Sequence, residues 1–232
     1  MSVLLTICAR GGSKGLRNKA LLKINKKKLI DYTINIAQKI DFVKNIVVST
    51  DSEKIIEHCK SRGINIWFKR SKFLSNDKVG KLPVIIDAVK KSESYYKKRF
   101  ETIIDLDVTS PLRKIQDVKK AYSKFKLNNC DNLFSVMRSR HNPYFNMVEK
   151  VDKTFNLVKN NKKISRRQDV PVTYDMNASI YIWKKDILFS SKSLFNKKTF
   201  VYEMPYERSI DIDSNYDFNL VKLIMQNEKL FK

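Results

Sequence analysis

Three cysteines, two histidines and 24 acidic residues are little to set against 47 lysines and arginines in a chain of 232 residues. Cys8, Cys59 and Cys130 are odd in number and scattered, with no CxxC pair and no His set beside them, so neither a disulfide framework nor a zinc site is expected. No apolar run approaches the roughly 18 to 20 residues of a membrane helix. The opening Met1 to Cys8 is too short for a secretory leader and lacks its basic start, so a cytoplasmic protein without a membrane partner is expected. Internal repeats and low-complexity tracts are also missing. The shortage of acids leaves a formal charge of +23. Its lysines are spread over nearly every segment, in short clusters such as Lys26-Lys27-Lys28 and Lys97-Lys98-Arg99, and no basic helix gathers them. A solvated, lysine-rich surface suited to small anions is the better reading, with a nucleic-acid-binding module as the rival; no nucleic-acid partner is expected.

What is present is an alternation of strand-like and helix-like segments, the signature of an α/β fold with a mostly parallel sheet covered on both faces. Residues 3–9 read as a buried strand, followed by a Gly-rich loop and a helix with Leu29, Ile30, Ile34, Ala37 and Ile40 on one side. Ile46 to Ser49 reads as a second strand. Thr50-Asp51-Ser52-Glu53 has capping-box spacing for a helix that runs through Ile55, Ile56 and Cys59 to a stop at Gly63. Ile64 to Phe68 reads as a short strand, Leu82 to Lys98 as a helix, and Thr102 to Asp107 as a central strand ending in carboxylates. A helix around Ile115, Val118, Tyr122 and Phe125 leads to a strand from Asn132 to Met137. From 141 to 175 the pattern breaks into short segments rich in Asn and Lys, which divides the chain into a main domain, 1–140 and 176–232, and an inserted arm. Strands at Asn177 to Trp183 and Thr199 to Met204 and a helix near 215–227 close the fold. Trp67, Trp183 and Tyr181 read as packing residues, and His58, which belongs to no catalytic pattern in the sequence, as surface.

Arg10-Gly11-Gly12-Ser13-Lys14-Gly15 follows the first strand directly. Its glycines let backbone N–H groups approach an anion, and Arg10, Lys14 and Lys19 supply neutralising charge. GxxxxGK[ST] cannot be fitted, so this is not a Walker A loop. Asp211-Ile212-Asp213 puts two carboxylates on one face of an extended segment. Like charges that close are unfavourable without a cation, which points to Mg2+ beside an anion loop.

Four segments in order, Ala9 to Gly15, Thr109-Ser110-Pro111-Leu112-Arg113, Arg166-Arg167-Gln168-Asp169 with Asn177 to Tyr181, and Ser209 to Asp213, resemble the acylneuraminate cytidylyltransferases from residue 3 to about 224. The resemblance implies a Rossmann-like nucleotidyltransferase domain with a protruding dimerisation arm where residues 141–175 lie, and a homodimer. It implies transfer of CMP from CTP to an acidic keto-sugar such as a sialic acid-like nonulosonic acid, with an eight-carbon, CMP-Kdo-type acid as the alternative. On it, Arg10, Gly12, Ser13, Lys14, Lys19 and Arg70 match nucleotide-binding positions, with Arg10, Lys14 and Asp211 carrying catalysis. Asp211 and Asp213 match the metal acids; Asp107, where the family commonly has Gln, becomes a third metal ligand. Arg167, Gln168, Asp175 and Asn177 match the sugar site.

The departures concern the sugar most. The usual Tyr-Arg-Pro-Asn-Gly is here Tyr174-Asp175-Met176-Asn177-Ala178. Asp175 in place of a cation reverses the local preference from carboxylate to a hydrogen-bond donor, so a sugar other than N-acetylneuraminate is expected. Ala20 replaces the usual Asn, which moves one nucleotide contact to Asn18. No side chain stands out as a general base.

Overall fold

The computed structural model describes residues 2–12, 15–159 and 166–227. In chain order the elements are β1 (Val3–Cys8), β2 (Lys23–Ile24), β3 (Lys27–Lys28), α1 (Leu29–Gln38), β4 (Asn45–Ser49), α2 (Glu53–Ser61), α3 (Lys81–Tyr96), β5 (Thr102–Leu106), α4 (Ile115–Leu127), β6 (Asn132–Arg138), β7 (Val148–Val151), β8 (Thr154–Leu157), β9 (Tyr174–Lys184), α5 (Lys185–Ser190), β10 (Thr199–Glu203) and α6 (Asn215–Gln226). Six strands form one sheet in the order β10-β6-β9-β5-β1-β4. β9 runs antiparallel to both neighbours, and the other five strands share a direction.

Strict alternation of buried residues explains why both faces are covered. In β5, Ile104 and Leu106 enter one apolar cluster and Ile103 the other; in β9, Ile180 and Ile182 face one and Tyr181 and Trp183 the other. α1, α2, α4 and α6 cover the first face with Ile34, Ile55, Val118 and Val221, and α3 and α5 cover the second with Ile85, Val89 and Leu188. Trp183 is fully buried, and Trp67 stacks on Tyr95 at 4.2 Å. No helix among the described residues is long and apolar enough to cross a membrane.

Several local expectations change. Ile64 to Phe68 is not a strand: Ile64 and Ile66 are buried, so the alternation is real, but the segment joins no ladder and is anchored beyond it, where the Arg70 N–H donates to the Thr50 carbonyl at 2.8 Å. The capping box at Thr50 is not made. α2 starts at Glu53 with Ser52 as N-cap, and Asp51 accepts instead from the Gly11 N–H at 2.8 Å. Gly63 does stop α2, with φ of 76°. His58 is not a surface residue; its Nε2 lies 2.8 Å from Asp31 Oδ1 and its Nδ1 3.0 Å from Lys28 Nζ, a network between α1 and α2. Between 141 and 175, β7 and β8 form a hairpin that belongs to a sheet of its own. β9 begins at Tyr174, before the expected Asn177, and α5 and the small β2–β3 hairpin were not anticipated.

A bulge interrupts the β6–β9 ladder. Tyr181 stands opposite Phe134 and Met176 opposite Val136, so residues 177–180 face Ser135 alone. Ser135 stitches it, donating from Oγ to Asn177 Oδ1 at 2.6 Å and accepting from the Ile180 N–H at 2.8 Å. Ala178 is left-handed there, with φ of 49°. A Cβ in that region costs about 1–2 kcal/mol, partly offset by the chain entropy that glycine adds to the unfolded state. Ala178→Gly is therefore expected to stabilise the protein by roughly 0.5–1 kcal/mol. Urea unfolding checks this, and an unchanged or lower midpoint would mean that Ala178 carries no strain.

Candidate active site

The carboxyl ends of β1 and β5 open into a cavity of about 320 Å³ lined by Arg10, Lys19, Asp107, Thr109, Asp211 and Asp213, with Cys8 in its wall. Ligands of open α/β sheets gather at these strand ends. Its floor is assembled by a strap, residues 204–213, that crosses four strand ends. The Met204 N–H donates to the Val136 carbonyl within β6 at 2.7 Å, and Ser209 Oγ accepts from Asn177 Nδ2 of β9 at 3.0 Å. The Ile212 N–H donates to the Thr109 carbonyl beyond β5 at 2.9 Å. Lys19, beyond β1, donates from Nζ to the Ile212 carbonyl at 2.7 Å and to Asp213 Oδ1 at 2.8 Å. A Cβ on Gly15 would stand 2.4 Å from the Asp213 carbonyl oxygen, so only glycine lets loop and strap meet this closely.

Within the loop, Arg10 is ion-paired with Asp77. Gly12 is exposed, and Ser13 and Lys14 lie outside the described residues. Asn18 is left-handed with φ of 54°, while Ala20 is buried in the core.

The acids are of three kinds. Asp105 is fully buried; Thr6 Oγ1 donates to its Oδ1 at 2.6 Å, and Lys81 Nζ lies 2.9 Å from Oδ2. Asp107 accepts from Lys81 Nζ at 2.8 Å and from the Thr109 N–H and hydroxyl at 3.2 and 3.0 Å. Burial pushes the Asp107 pKa up, but Lys81 and Thr109 outweigh it and hold the carboxyl below its ordinary value. Asp211 is different. Its Oδ1 is buried without a hydrogen-bond partner, and burial, with the charges of Asp107 and Asp213, raises its pKa to about 6 against the pull of Thr109 and Lys19.

Lys81 is the residue that sequence reasoning missed. It lies between Asp105 and Asp107 and over the Tyr181 ring at 4.3 Å. Burial lowers its pKa, yet the two carboxylates reverse this and raise it well above the usual value. At the first position of an amphipathic helix a lysine reads as solvated, so no local signal marks it.

Other expected residues lie away from the cavity wall. Arg70 is buried and anchors the end of β4, donating from Nε to Ser49 Oγ at 3.0 Å and from its guanidinium to the Ser49 carbonyl. Asn177 spends its side-chain amide on Ser135 and Ser209. Asp175 is partly exposed, opposite Met137 in the β6–β9 pair. Gln168 lies in a second hollow with Arg138 and Arg140, in the short turn that Arg167 opens. Arg70, Gln168, Asp175 and Asn177 are thus absent from the lining of the cavity that holds Arg10, Lys19 and Asp211.

A mostly parallel sheet whose strand ends present a cationic loop beside unpaired carboxylate oxygen defines a nucleotide-handling α/β enzyme. The profile of the Cytidylyltransferase family matches residues 4–230, and the chain belongs to that family, as a nucleotidyltransferase. It is 44% identical to CMP-N,N'-diacetyllegionaminic acid synthase of Campylobacter jejuni, over 98% of this chain and 97% of that one. It is 43% identical to post-translational flagellin modification protein B of Campylobacter coli, again over 98% and 97%. Among solved structures, CMP:2-keto-3-deoxy-manno-octonic acid synthetase complexed with CTP superposes with a TM-score of 0.69 at 17% identity, covering 98% of this chain and all of that one, which is a likeness of fold.

Proposed function

We propose that the protein transfers CMP from CTP to the anomeric hydroxyl of an acidic nine-carbon keto-sugar of the legionaminic type, releasing pyrophosphate. The observation that carries the reading is the cavity in which Arg10 and Lys19 face Asp107, Asp211 and Asp213, in a chain alike over its whole length to a CMP-legionaminic acid synthase. Arg10, Lys14 and Lys19 neutralise the triphosphate, Gly12 and Ser13 offer backbone N–H groups, and Arg70 braces the strand end beside the base. Charge stabilisation and alignment of the sugar hydroxyl with the α-phosphorus supply the rate.

Among the described residues no three acids are grouped closely enough to hold a metal ion by themselves; a divalent cation would rest on the unpartnered Asp211 Oδ1 with Asp213, and on Asp107 only if Lys81 yields an oxygen, the phosphates of CTP supplying further ligands. Mg2+ held there neutralises charge on the phosphates. A CTP-consuming enzyme of this kind works in the cytoplasm, and a steeply salt-dependent gel shift with nucleic acid is not expected.

Residues 141–175 form the dimerisation arm on this reading. Phe145, Met147, Val148, Phe155 and Tyr174 are exposed in a segment too thin to bury them alone. A twofold dimer is expected by light scattering at micromolar concentration; a strictly monomeric mass would refute the arm.

Asp175, with Arg167, Gln168 and Asn177, sets the choice of sugar: a carboxylate prefers an N–H or O–H donor, which the second acylamino group of a diacetylated acid provides. Pyrophosphate release is to be measured with CTP across sialic, legionaminic, pseudaminic and Kdo-type acids. N-acetylneuraminate is expected to fall at least about tenfold below the preferred acid in kcat/KM, and Asp175→Asn to reorder the sugars more than it alters the KM for CTP. If N-acetylneuraminate is the best substrate and Asp175→Asn is without effect, Asp175 plays no part in selection.

A further inference from the structure

We infer that a second cavity, separate from the active site, binds a small organic anion, a carboxylate or phosphate ester with an apolar body, and that its occupancy alters nucleotide binding. This cavity has a volume of about 350 Å³ and shares no lining residue with the phosphate cavity. It lies between α1, α6 and the segment 111–114, with Tyr32, Leu112, Ile224 and Met225 as its apolar wall. Asn25, from the turn after β2, joins that wall by donating from Nδ2 to the Met225 carbonyl at 3.3 Å.

The charged residues of the lining are Arg113, Lys114, Arg208 and Glu207. Arg208 is already committed, to Asp117 at 2.8 Å and to Glu207 at 3.4 Å. Lys114 is exposed, and among the described residues neither it nor Arg113 forms a salt bridge. Arg113 is 3% exposed, and its Nε is buried without a hydrogen-bond partner. Burial pulls its pKa down to about 10 against the charges of Asp107, Asp105 and Asp117, so the guanidinium gains from an anion close by. Two uncommitted cations beside an apolar wall select a molecule charged at one end and apolar at the other.

Two chain segments line both cavities. Asp107, Val108 and Thr109 line the phosphate cavity, and Pro111 to Lys114 the second one. On the strap, Glu207 and Arg208 line the second cavity, and Asp211 and Asp213 the phosphate cavity. Arg113 also bridges the two directly. Its guanidinium donates from Nη2 to the Asp107 carbonyl at 3.1 Å and to Thr33 Oγ1 at 3.0 Å, and from Nη1 to the Ser179 carbonyl at 2.7 Å. An anion that draws this guanidinium or the strap toward itself acts on the backbone that places Asp107 and Asp211. The result is a coupling free energy between the two cavities, so CTP alters the affinity for the anion by the same factor as the anion alters that for CTP.

The test uses the full-length protein with isotope-labelled methionine methyls read by NMR, the Met225 signal being assigned with Met225→Leu. Benzoate and phenyl phosphate are the probes, and benzyl alcohol is the uncharged control. At least one of the two anions is expected to move the Met225 signal saturably, with affinity at least about tenfold above that of benzyl alcohol; the tighter of the two identifies the acid group. Lys114→Ala, at an exposed position, is expected to weaken the anion at least about threefold. Leu112→Trp, which fills the cavity, is expected to abolish the shift; should it fail to fold, Lys114→Ala decides. Calorimetry of CTP binding with saturating anion is expected to show at least about a twofold change in Kd in wild type and none in Leu112→Trp. No saturable shift, benzyl alcohol equal to the anions, or a shift indifferent to these substitutions would overturn the site, and an unchanged Kd for CTP would overturn its coupling. None of these readouts requires turnover, so failure of the proposed function, seen as no pyrophosphate from any acid of the panel, is a separate result.

Discussion

Asp211→Asn is expected to abolish turnover and, at neutral pH, to make the folded protein more stable. The two effects have one cause. Asp211 Oδ1 is buried with no hydrogen-bond partner, and its pKa is raised to about 6 by burial and by Asp107 and Asp213. The folded protein thus binds this proton more tightly than the unfolded chain, whose carboxyl titrates near 3.8. Between those values the native state carries the extra proton, so stability falls as pH rises through the window and the ionised carboxylate remains a cost above it. A shift of about two units corresponds to roughly 2–3 kcal/mol. Asparagine removes the charge, and its N–H group enters the field of two neighbouring carboxylates. A higher Tm than wild type is expected at pH 7.5, converging toward wild type near pH 4 where Asp211 is protonated. Turnover is expected to fall by at least about a hundredfold, because the amide neither holds a cation nor offers charge at the phosphate cavity. Thermal unfolding at the two pH values and pyrophosphate release check both halves; a less stable variant at pH 7.5 would show that the carboxylate is satisfied in the fold.

Lys81→Met should have the opposite effect on stability. Lys81 is the cation for Asp105, which is fully buried, and for Asp107. Without it, Asp105 retains the Thr6 hydroxyl and Asp107 the Thr109 N–H and hydroxyl, but two carboxylates two residues apart lose the lysine that stands between them. Removing one partner of a buried ion pair costs about 3–5 kcal/mol, a large share of the roughly 5–15 kcal/mol that holds a domain folded. The variant is expected to lose most of its cooperative unfolding transition. Lys81→Met with Asp105→Asn is expected to recover about half of the loss by removing one charge. Unfolding of both variants in urea decides, and a single variant as stable as wild type would mean that Asp105 and Asp107 do not depend on Lys81. Asp107, whose pKa is lowered, contributes stability above the ordinary carboxylate range that is lost as pH falls through its folded value, opposite in sign to Asp211.

These two acids show how far local pattern reaches. The paired aspartates at 105 and 107 and at 211 and 213 are visible in sequence, the first pair at the end of a central strand. Their partners are not, because each is remote in the chain: Asp105 meets Thr6, 99 positions away, and Asp213 meets Lys19, 194 positions away. The same division holds for the fold. Strands buried on both faces must read as apolar runs, and helices that cover them must repeat near 3.6, so β1, β4, β5, β6, α1, α3, α4 and α6 are legible from Val3 to Gln226.

Strand direction and partnership are different quantities. Nothing in Ile180-Tyr181-Ile182-Trp183 says that β9 enters antiparallel between β5 and β6, because side-chain alternation is the same in either direction. Nor does alternation distinguish β4 from Ile64 to Phe68, since a strand also needs a free ladder of backbone groups beside it, and that is a property of the assembled sheet. The chain by itself determined the layered α/β architecture, the glycine-rich cationic stretch from Arg10 to Gly15 and the paired aspartates, all consequences of hydrophobic period and residue chemistry. Tertiary structure alone decided that Lys81 holds Asp105 and Asp107, that Asp211 Oδ1 is left without a hydrogen-bond partner, that His58 is drawn between α1 and α2, and that Arg138, Arg140 and Tyr206 share a hollow. Each depends on distances of a few ångströms between segments that only the packed sheet brings together.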